Sequence, residues 1–410
     1  MHIVIVGNGA AALSAIEAIR ETDGVSEITV LTSEADRAYT PCFLAKYVAG
    51  TVDIGDLALK SDDFYEKYNV DLVTGRAVTS VVPDENVVVL DDGTRVAYDR
   101  LLLACGAEPI VPQTADLSGQ GAFVFKCLAD AERIRAHAAN VRNAVVLGSG
   151  FVAMEIAEAL AETGVSVSMV ARTDHILRRI FDSEVADMVE DHMTRNGVRF
   201  MKCCDLVEVE RDERGSLTTA VLSDEQRVPC ELMVVAVGMR PNVGLVADTP
   251  VAVGRGILTD AAMRTSVQNV YAAGDVAEAE IGGVRKANLI HPNAVLEGRV
   301  AGHNMVGGEQ LMDEHLVDMN VLTVFGRSFL AVGALEGDTV LRRAVGSDNL
   351  VKVFADQAGL IKGVELVGDV TRAGLYASMI ARHLSVDEVP EILSTSFNYG
   401  QTVGPTARVS

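Results

Sequence analysis

Two glycine-rich turns, each following an apolar run and leading into a helix-forming stretch, constrain this chain more than any other feature. The first is Ile3-Val4-Ile5-Val6-Gly7-Asn8-Gly9-Ala10-Ala11-Ala12 and the second is Ala144-Val145-Val146-Leu147-Gly148-Ser149-Gly150-Phe151-Val152-Ala153. Apolar runs of this kind suit parallel strands covered on both faces. The leading glycines, Gly7 and Gly148, permit a tight turn. The next ones, Gly9 and Gly150, let the backbone approach a pyrophosphate, and the small residues Ala12 and Ala153 keep the helix close to its strand. The helix N-terminus, with Ala11 in one case and Phe151 and Val152 in the other, then presents N–H groups to a phosphate. One such turn is a weak signal. Two predict two dinucleotide sites, and an enzyme holding two dinucleotides passes electrons between them.

The strand after each turn bears on the ribose. Glu27-Ile28-Thr29-Val30-Leu31 ends at Thr32, where an acid is common, so Glu34 is the nearest carboxylate for a ribose hydroxyl. Val165-Ser166-Val167-Ser168-Met169-Val170 ends at Ala171-Arg172, with Arg178 and Arg179 soon after. A carboxylate there would repel a 2′-phosphate, whereas an arginine tolerates or binds one. Arg172 is therefore a candidate coenzyme contact or a solvated surface arginine, and the choice between NADH and NADPH stays open.

At 410 residues the chain is long enough for two or three domains. A net charge of −22 argues against a nucleic-acid binder, because a phosphate backbone would be repelled. No apolar run reaches the length of a membrane span, and the start runs directly into a strand without a leader, so a cytoplasmic protein is expected. The six cysteines, at 42, 105, 127, 203, 204 and 230, include no C-x-x-C pair and no cluster with metal spacing, so no metal site is expected. Cys203 and Cys204 follow a strand-like run and are expected as buried thiols.

Three further segments extend the pattern. Leu101-Leu102-Leu103-Ala104-Cys105-Gly106 is a strand ending in a small-residue turn, Val270-Tyr271-Ala272-Ala273-Gly274-Asp275 is a strand ending in Gly-Asp, and Val235-Ala236-Val237-Gly238 is a third strand end. Together with the two glycine turns they make the chain resemble the FAD-dependent pyridine nucleotide–disulfide oxidoreductases. The resemblance implies an α/β fold of two Rossmann-like dinucleotide-binding domains, one inserted in the other, plus a C-terminal α+β interface domain that often mediates homodimers. Residues 1–112 and 243–316 would bind FAD, 113–242 would bind NAD(P)H, and 317–410 would form the interface domain. Asp275 would reach the flavin ribityl chain, with Gly274 opening the approach and Ala104 and Gly106 beside it. Gly238 marks the exit from the inserted domain. His291, Asn293 and Ala294 would start a helix aimed at the flavin pyrimidine edge. The polar end, Tyr399 to Thr406, is expected to be loose.

The segment Tyr39-Thr40-Pro41-Cys42-Phe43-Leu44-Ala45-Lys46 packs beside the flavin ring in relatives, with Pro41 in its wall. Two branches place different chemistry here. In rubredoxin and ferredoxin reductases and the flavin part of nitrite reductases, a lysine corresponding to Lys46 pairs with a glutamate corresponding to Glu155. In CoA-disulfide reductases and NADH oxidases a lone cysteine, here Cys42, cycles between thiolate and an oxidised form. The resemblance thus implies hydride exchange between NAD(P)H and FAD, with electrons going to or from a redox partner protein or an iron–sulfur subunit of a larger complex. The alternatives are a thiol-based reductase or oxidase using Cys42, and a non-enzymatic flavoprotein interaction module.

Overall fold

A computed structural model describes residues 1–393 apart from 282, 288 and 347. The polar end from Tyr399 to Thr406 lies outside them. Both glycine turns join a strand to a helix: His2–Val6 to α1 (Ala10–Thr22), and Asn143–Leu147 to α2 (Phe151–Glu162). The chain divides into two compact units. One comprises Met1–Ile110, Lys126–Ala131 and Gly238–Glu314. The other comprises Val111–Phe125, Glu132–Val237 and the chain from His315 onward.

In the first unit a five-stranded parallel sheet runs in the order Val270–Ala272, Arg100–Leu103, His2–Val6, Glu27–Leu31, Val70–Val73. Its central strand is apolar from Ile3 to Val6, and Ile3, Val4 and Ile5 are fully buried, as a strand covered on both faces requires. Helix α1 covers it together with a later helix, α3 (His291–Met305). These two helices lie backbone against backbone. A Cβ on Gly298 would stand 2.1 Å from the Ala11 carbonyl oxygen, and one on Gly302 would stand 2.5 Å from that of Ala15. Only glycine fits such an approach.

The second unit repeats the plan. Its parallel sheet has the order Arg199–Lys202, Ser166–Ala171, Asn143–Leu147, Leu232–Val235, Ala122–Val124. It also carries an antiparallel five-stranded sheet, in the order Met319–Val324, Arg327–Gly333, Ile361–Val367, Asn349–Ala355, Thr339–Val345. The helix Ala373–Ala381 buries Tyr376 and Met379 against that sheet. Charge ties the sheet to the helix Ser183–Arg195. Asp182 caps that helix by accepting the Val185 N–H at 3.1 Å, and Lys352 pairs with both Asp182 and Glu184. The Asp182 N–H donates to Glu365 at 2.7 Å, and burial pushes this wholly enclosed carboxyl up to about 8. Among the described residues no helix is long and apolar enough to cross a membrane.

Candidate functional site

The two turns are held in the same way. Gly7 has φ +105° and its N–H donates to the Leu31 carbonyl at 2.8 Å. A Cβ there would lie 2.1 Å from the Ala104 oxygen. Gly148 has φ +133°, its N–H donates to the Val170 carbonyl at 3.0 Å, and its Cβ would lie 2.2 Å from the Ala236 oxygen. In each case the end of a neighbouring strand closes the turn from behind. Gly9 and Gly150, at the helix N-caps, face the other way, since a Cβ on either meets nothing within 4 Å. The first N–H groups of α1 and α2 border this open space, which suits a negatively charged phosphate.

In the first unit the expected flavin residues converge. Gly274, with φ +76°, sits where a Cβ would be 3.2 Å from the Ala11 Cβ and 3.5 Å from the Ala294 Cβ. The strand leading to it is registered by the Ala273 N–H donating to the Leu103 carbonyl at 3.1 Å. Burial raises the Asp275 carboxyl, and the Lys126 cation partly opposes that rise. Gly106 accepts the Asn242 N–H at 3.0 Å, and Gly238 accepts the Ile110 N–H at 3.0 Å. Several enclosed polar atoms here have no partner: Asn8 Nδ2, His291 Nε2 and Asn293 Nδ2. Asn8 uses its other side-chain atom, Oδ1, to accept the Tyr65 hydroxyl at 2.8 Å. Orphaned buried donors are rare in a finished fold. Together with the open space at Gly9, they fit a polar nucleotide such as FAD.

Glu34 is exposed and accepts the Tyr39 hydroxyl at 2.5 Å, while that hydroxyl accepts the Leu128 N–H at 3.0 Å. Burial and the Glu34 charge keep the phenol protonated far above its usual range. Thr32 is buried and its hydroxyl accepts the Glu34 N–H at 3.3 Å. The segment Lys126–Ala131 therefore completes the first unit's site although it lies some 90 residues along the chain from Glu34. Sequence reading missed Lys126 and Leu128, because nothing local marks a segment that returns to a distant sheet.

The segment around Cys42 forms a short turn, Pro41–Phe43, and then the helix Leu44–Ala49, which Gly50 ends at φ +74°. Pro41, Cys42 and Lys46 are exposed, and the Lys46 ammonium lies 4.7 Å from the Phe43 ring centre. Glu155 is half-buried on α2 in the other unit. Cys105 donates to the Asn242 carbonyl at 3.5 Å, and burial pushes its thiol up to about 12, which disfavours the thiolate. The expectation for the adjacent cysteines needs correcting at one position. Cys204 is buried but Cys203 is exposed, because it sits past the strand end in a left-handed turn at φ +57°.

In the second unit Arg172 is largely exposed and its Nε lies 3.9 Å from Asp205 Oδ2. Arg178 and Arg179 are exposed on the loop that follows. That loop is anchored to the glycine turn, since the Leu177 N–H donates to the Ser149 carbonyl at 2.8 Å. Phe151 packs edge-on to Phe181, with ring centres 6.3 Å apart, and Val152 is exposed.

Comparison with known proteins agrees with this arrangement. The sequence pattern of the family described as pyridine nucleotide-disulphide oxidoreductase matches residues 1–298. The NADH-dependent phenylglyoxylate dehydrogenase subunit epsilon of Aromatoleum evansii is 32 % identical over 385 residues, which cover 92 % of this chain and 91 % of that protein. The NADH-rubredoxin oxidoreductase of Clostridium acetobutylicum is 27 % identical over 95 % of this chain and 97 % of its own length. Among solved structures, a NAD-dependent persulfide reductase from A. fulgidus matches with a TM-score of 0.88 at 25 % identity, over 95 % of this chain and 78 % of that one.

Proposed function

The chain belongs to the pyridine nucleotide-disulphide oxidoreductase family, and from that premise we propose that its electrons go to or come from an iron–sulfur protein or subunit in the cytoplasm. It is an FAD-dependent oxidoreductase that works with NAD(P)H. Residues 1–112 and 243–316, joined by Lys126–Ala131 and Gly238–Asn242, hold the flavin nucleotide, the rest of 113–242 holds the nicotinamide nucleotide, and the C-terminal sheet forms an interface with another subunit. Bound FAD supplies the conversion between two-electron exchange with a nicotinamide and one-electron exchange with a carrier. The chain's own residues do the rest. Gly9 and Gly150 let the two pyrophosphates approach the helix N-termini, Asp275 accepts flavin hydroxyls, and Glu34 accepts those of the adenosine ribose. Lys46 places a cation beside the flavin ring.

The observation that carries this reading is the full-length likeness to a dehydrogenase subunit, covering 91 % of it. Together with the family's cofactors, it favours a chain that hands electrons on. Native purification of the tagged protein from its source, with identification of whatever co-purifies, tests it. The expected result is an iron–sulfur protein whose centres are bleached by NAD(P)H only when this chain is present. Two one-electron centres would be reduced for each NAD(P)H oxidised.

A second reading rests on the exposed thiol of Cys42 in the Pro41–Phe43 turn and on the likeness to a persulfide reductase. Here the Cys42 thiolate attacks a CoA disulfide or persulfide, a Cys42 mixed disulfide or persulfide forms as the substrate's S–S bond breaks and CoA leaves as its thiolate, and NAD(P)H supplies the two electrons that restore Cys42. Cys42→Ser separates the two. Abolished disulfide or persulfide turnover with intact dye reduction favours the thiol, and unchanged turnover of every acceptor removes it.

A further inference from the structure

Glu34 is exposed, and a surface glutamate ordinarily samples many rotamers. This one is fixed from three sides. Its N–H donates to the Thr32 hydroxyl at 3.3 Å, and its carbonyl accepts the Gly75 N–H at 3.0 Å. Its carboxylate accepts the Tyr39 hydroxyl through Oε2 at 2.5 Å, the length of a charge-assisted hydrogen bond.

The Tyr39 hydroxyl is fixed in turn. Leu128 opens the helix Leu128–Ala138, so its N–H has no acceptor within that helix, and it donates to the Tyr39 oxygen at 3.0 Å. An amide N–H can only donate, which leaves the single phenol proton for Glu34. The backbone of Tyr39 is pinned as well, by a bridge to Ala58. Tyr39, Glu34 and the Lys126–Ala131 segment that supplies Leu128 all belong to the first unit.

The strand Glu27–Leu31 leads to Thr32, which is buried and carries no charge. The carboxylate comes two residues later, outside the strand, where the sheet no longer sets its direction. We propose that Tyr39 is a positioning residue that takes over this role and presets the displaced Glu34 carboxylate for the adenosine ribose of FAD. Oε1 and the second lone pair of Oε2 remain for the two ribose hydroxyls. With the side chain settled before the ligand arrives, less freedom is lost on binding. This rests on the reading of Glu34 as the ribose acceptor in the flavin site.

A double-mutant cycle tests it, with the dissociation constant for FAD measured by flavin fluorescence on the FAD-depleted full chain. The four proteins are wild type, Tyr39→Phe, Glu34→Ala and the double variant. Tyr39→Phe is expected to weaken FAD about fivefold with Glu34 in place, and less than about twofold in the Glu34→Ala background. A general loosening around Leu128 would weaken both backgrounds alike. Equal losses in the two backgrounds, or no loss in either, overturn the proposal. Should Tyr39→Phe fail to fold, Glu34→Asp decides, because its carboxylate is one methylene too short to meet the hydroxyl. Weaker FAD binding by that variant is expected, and wild-type affinity overturns the proposal. A weakened Glu34→Ala beside an unchanged Tyr39→Phe sinks this inference alone, whereas an unchanged Glu34→Ala sinks the ribose reading with it.

Discussion

Gly7 and Gly9 are the same residue type two positions apart, yet they answer to different partners. Gly7 is demanded by the protein itself, through its positive φ and the Ala104 oxygen 2.1 Å from where a Cβ would sit. Gly7→Ala therefore strains the backbone and is expected to cost on the order of 3 kcal/mol in chemical denaturation of the FAD-free protein. Gly9 has open space in front of it. Gly9→Ala is expected to leave that unfolding midpoint almost unchanged and to weaken FAD binding at least about tenfold, read by flavin fluorescence. If both variants lose stability equally, the space at Gly9 is not reserved for a ligand. Arg172 makes a parallel case in the second unit. Arg172→Ala is expected to lower the ratio of kcat/KM for NADPH over NADH by roughly tenfold. An unmoved ratio makes it a solvated surface arginine whose contact is Asp205.

Between elements, the packing of α1 on α3 rests on glycines that a hydropathy pattern does not reveal. Gly302→Ala is expected to push the helices apart and cost about 2–4 kcal/mol, whereas removing the exposed Arg299–Glu21 pair is expected to leave the denaturation midpoint almost unmoved. On the C-terminal sheet, the raised Glu365 carboxyl sets a pH slope. It binds its proton in the folded state and releases it on unfolding, so stability falls as pH climbs from about 4.5 toward about 8. Glu365→Gln is expected to flatten that slope, measured as the denaturation midpoint of the chain against pH. The strands and helices around both glycine turns were legible in the sequence, because a positive φ at Gly7 or Gly148 leaves few other residues able to stand there. Lys126 and Leu128 were not legible as site residues, since their meaning depends on partners far along the chain. Cys203 misled for the opposite reason, its neighbours reading as a strand while its own backbone turns left-handed.

For the molecule as a whole, the charge of −22 governs encounters more than folding. An acidic iron–sulfur carrier is repelled at long range, and salt screens that repulsion within about 10 Å at ~0.1 M. Its association rate, followed by stopped-flow bleaching, is expected to rise with ionic strength, and a fall would point to a basic partner or a local basic patch. Organisation at this scale was legible through repetition, as two copies of one turn imply two nucleotide folds. The segment Lys126–Ala131, which returns to the first unit, was not, because no change of composition announces it. The neighbouring-strand carbonyls of Ala104 and Ala236 that fill the space behind Gly7 and Gly148 carry one more consequence. Each nucleotide cradle is cast by the sheet rather than by its guest. Protein stripped of its coenzymes is therefore expected to keep both moulds standing, and refilling, followed by stopped-flow fluorescence, to run as a single concentration-dependent phase with no slow refolding step.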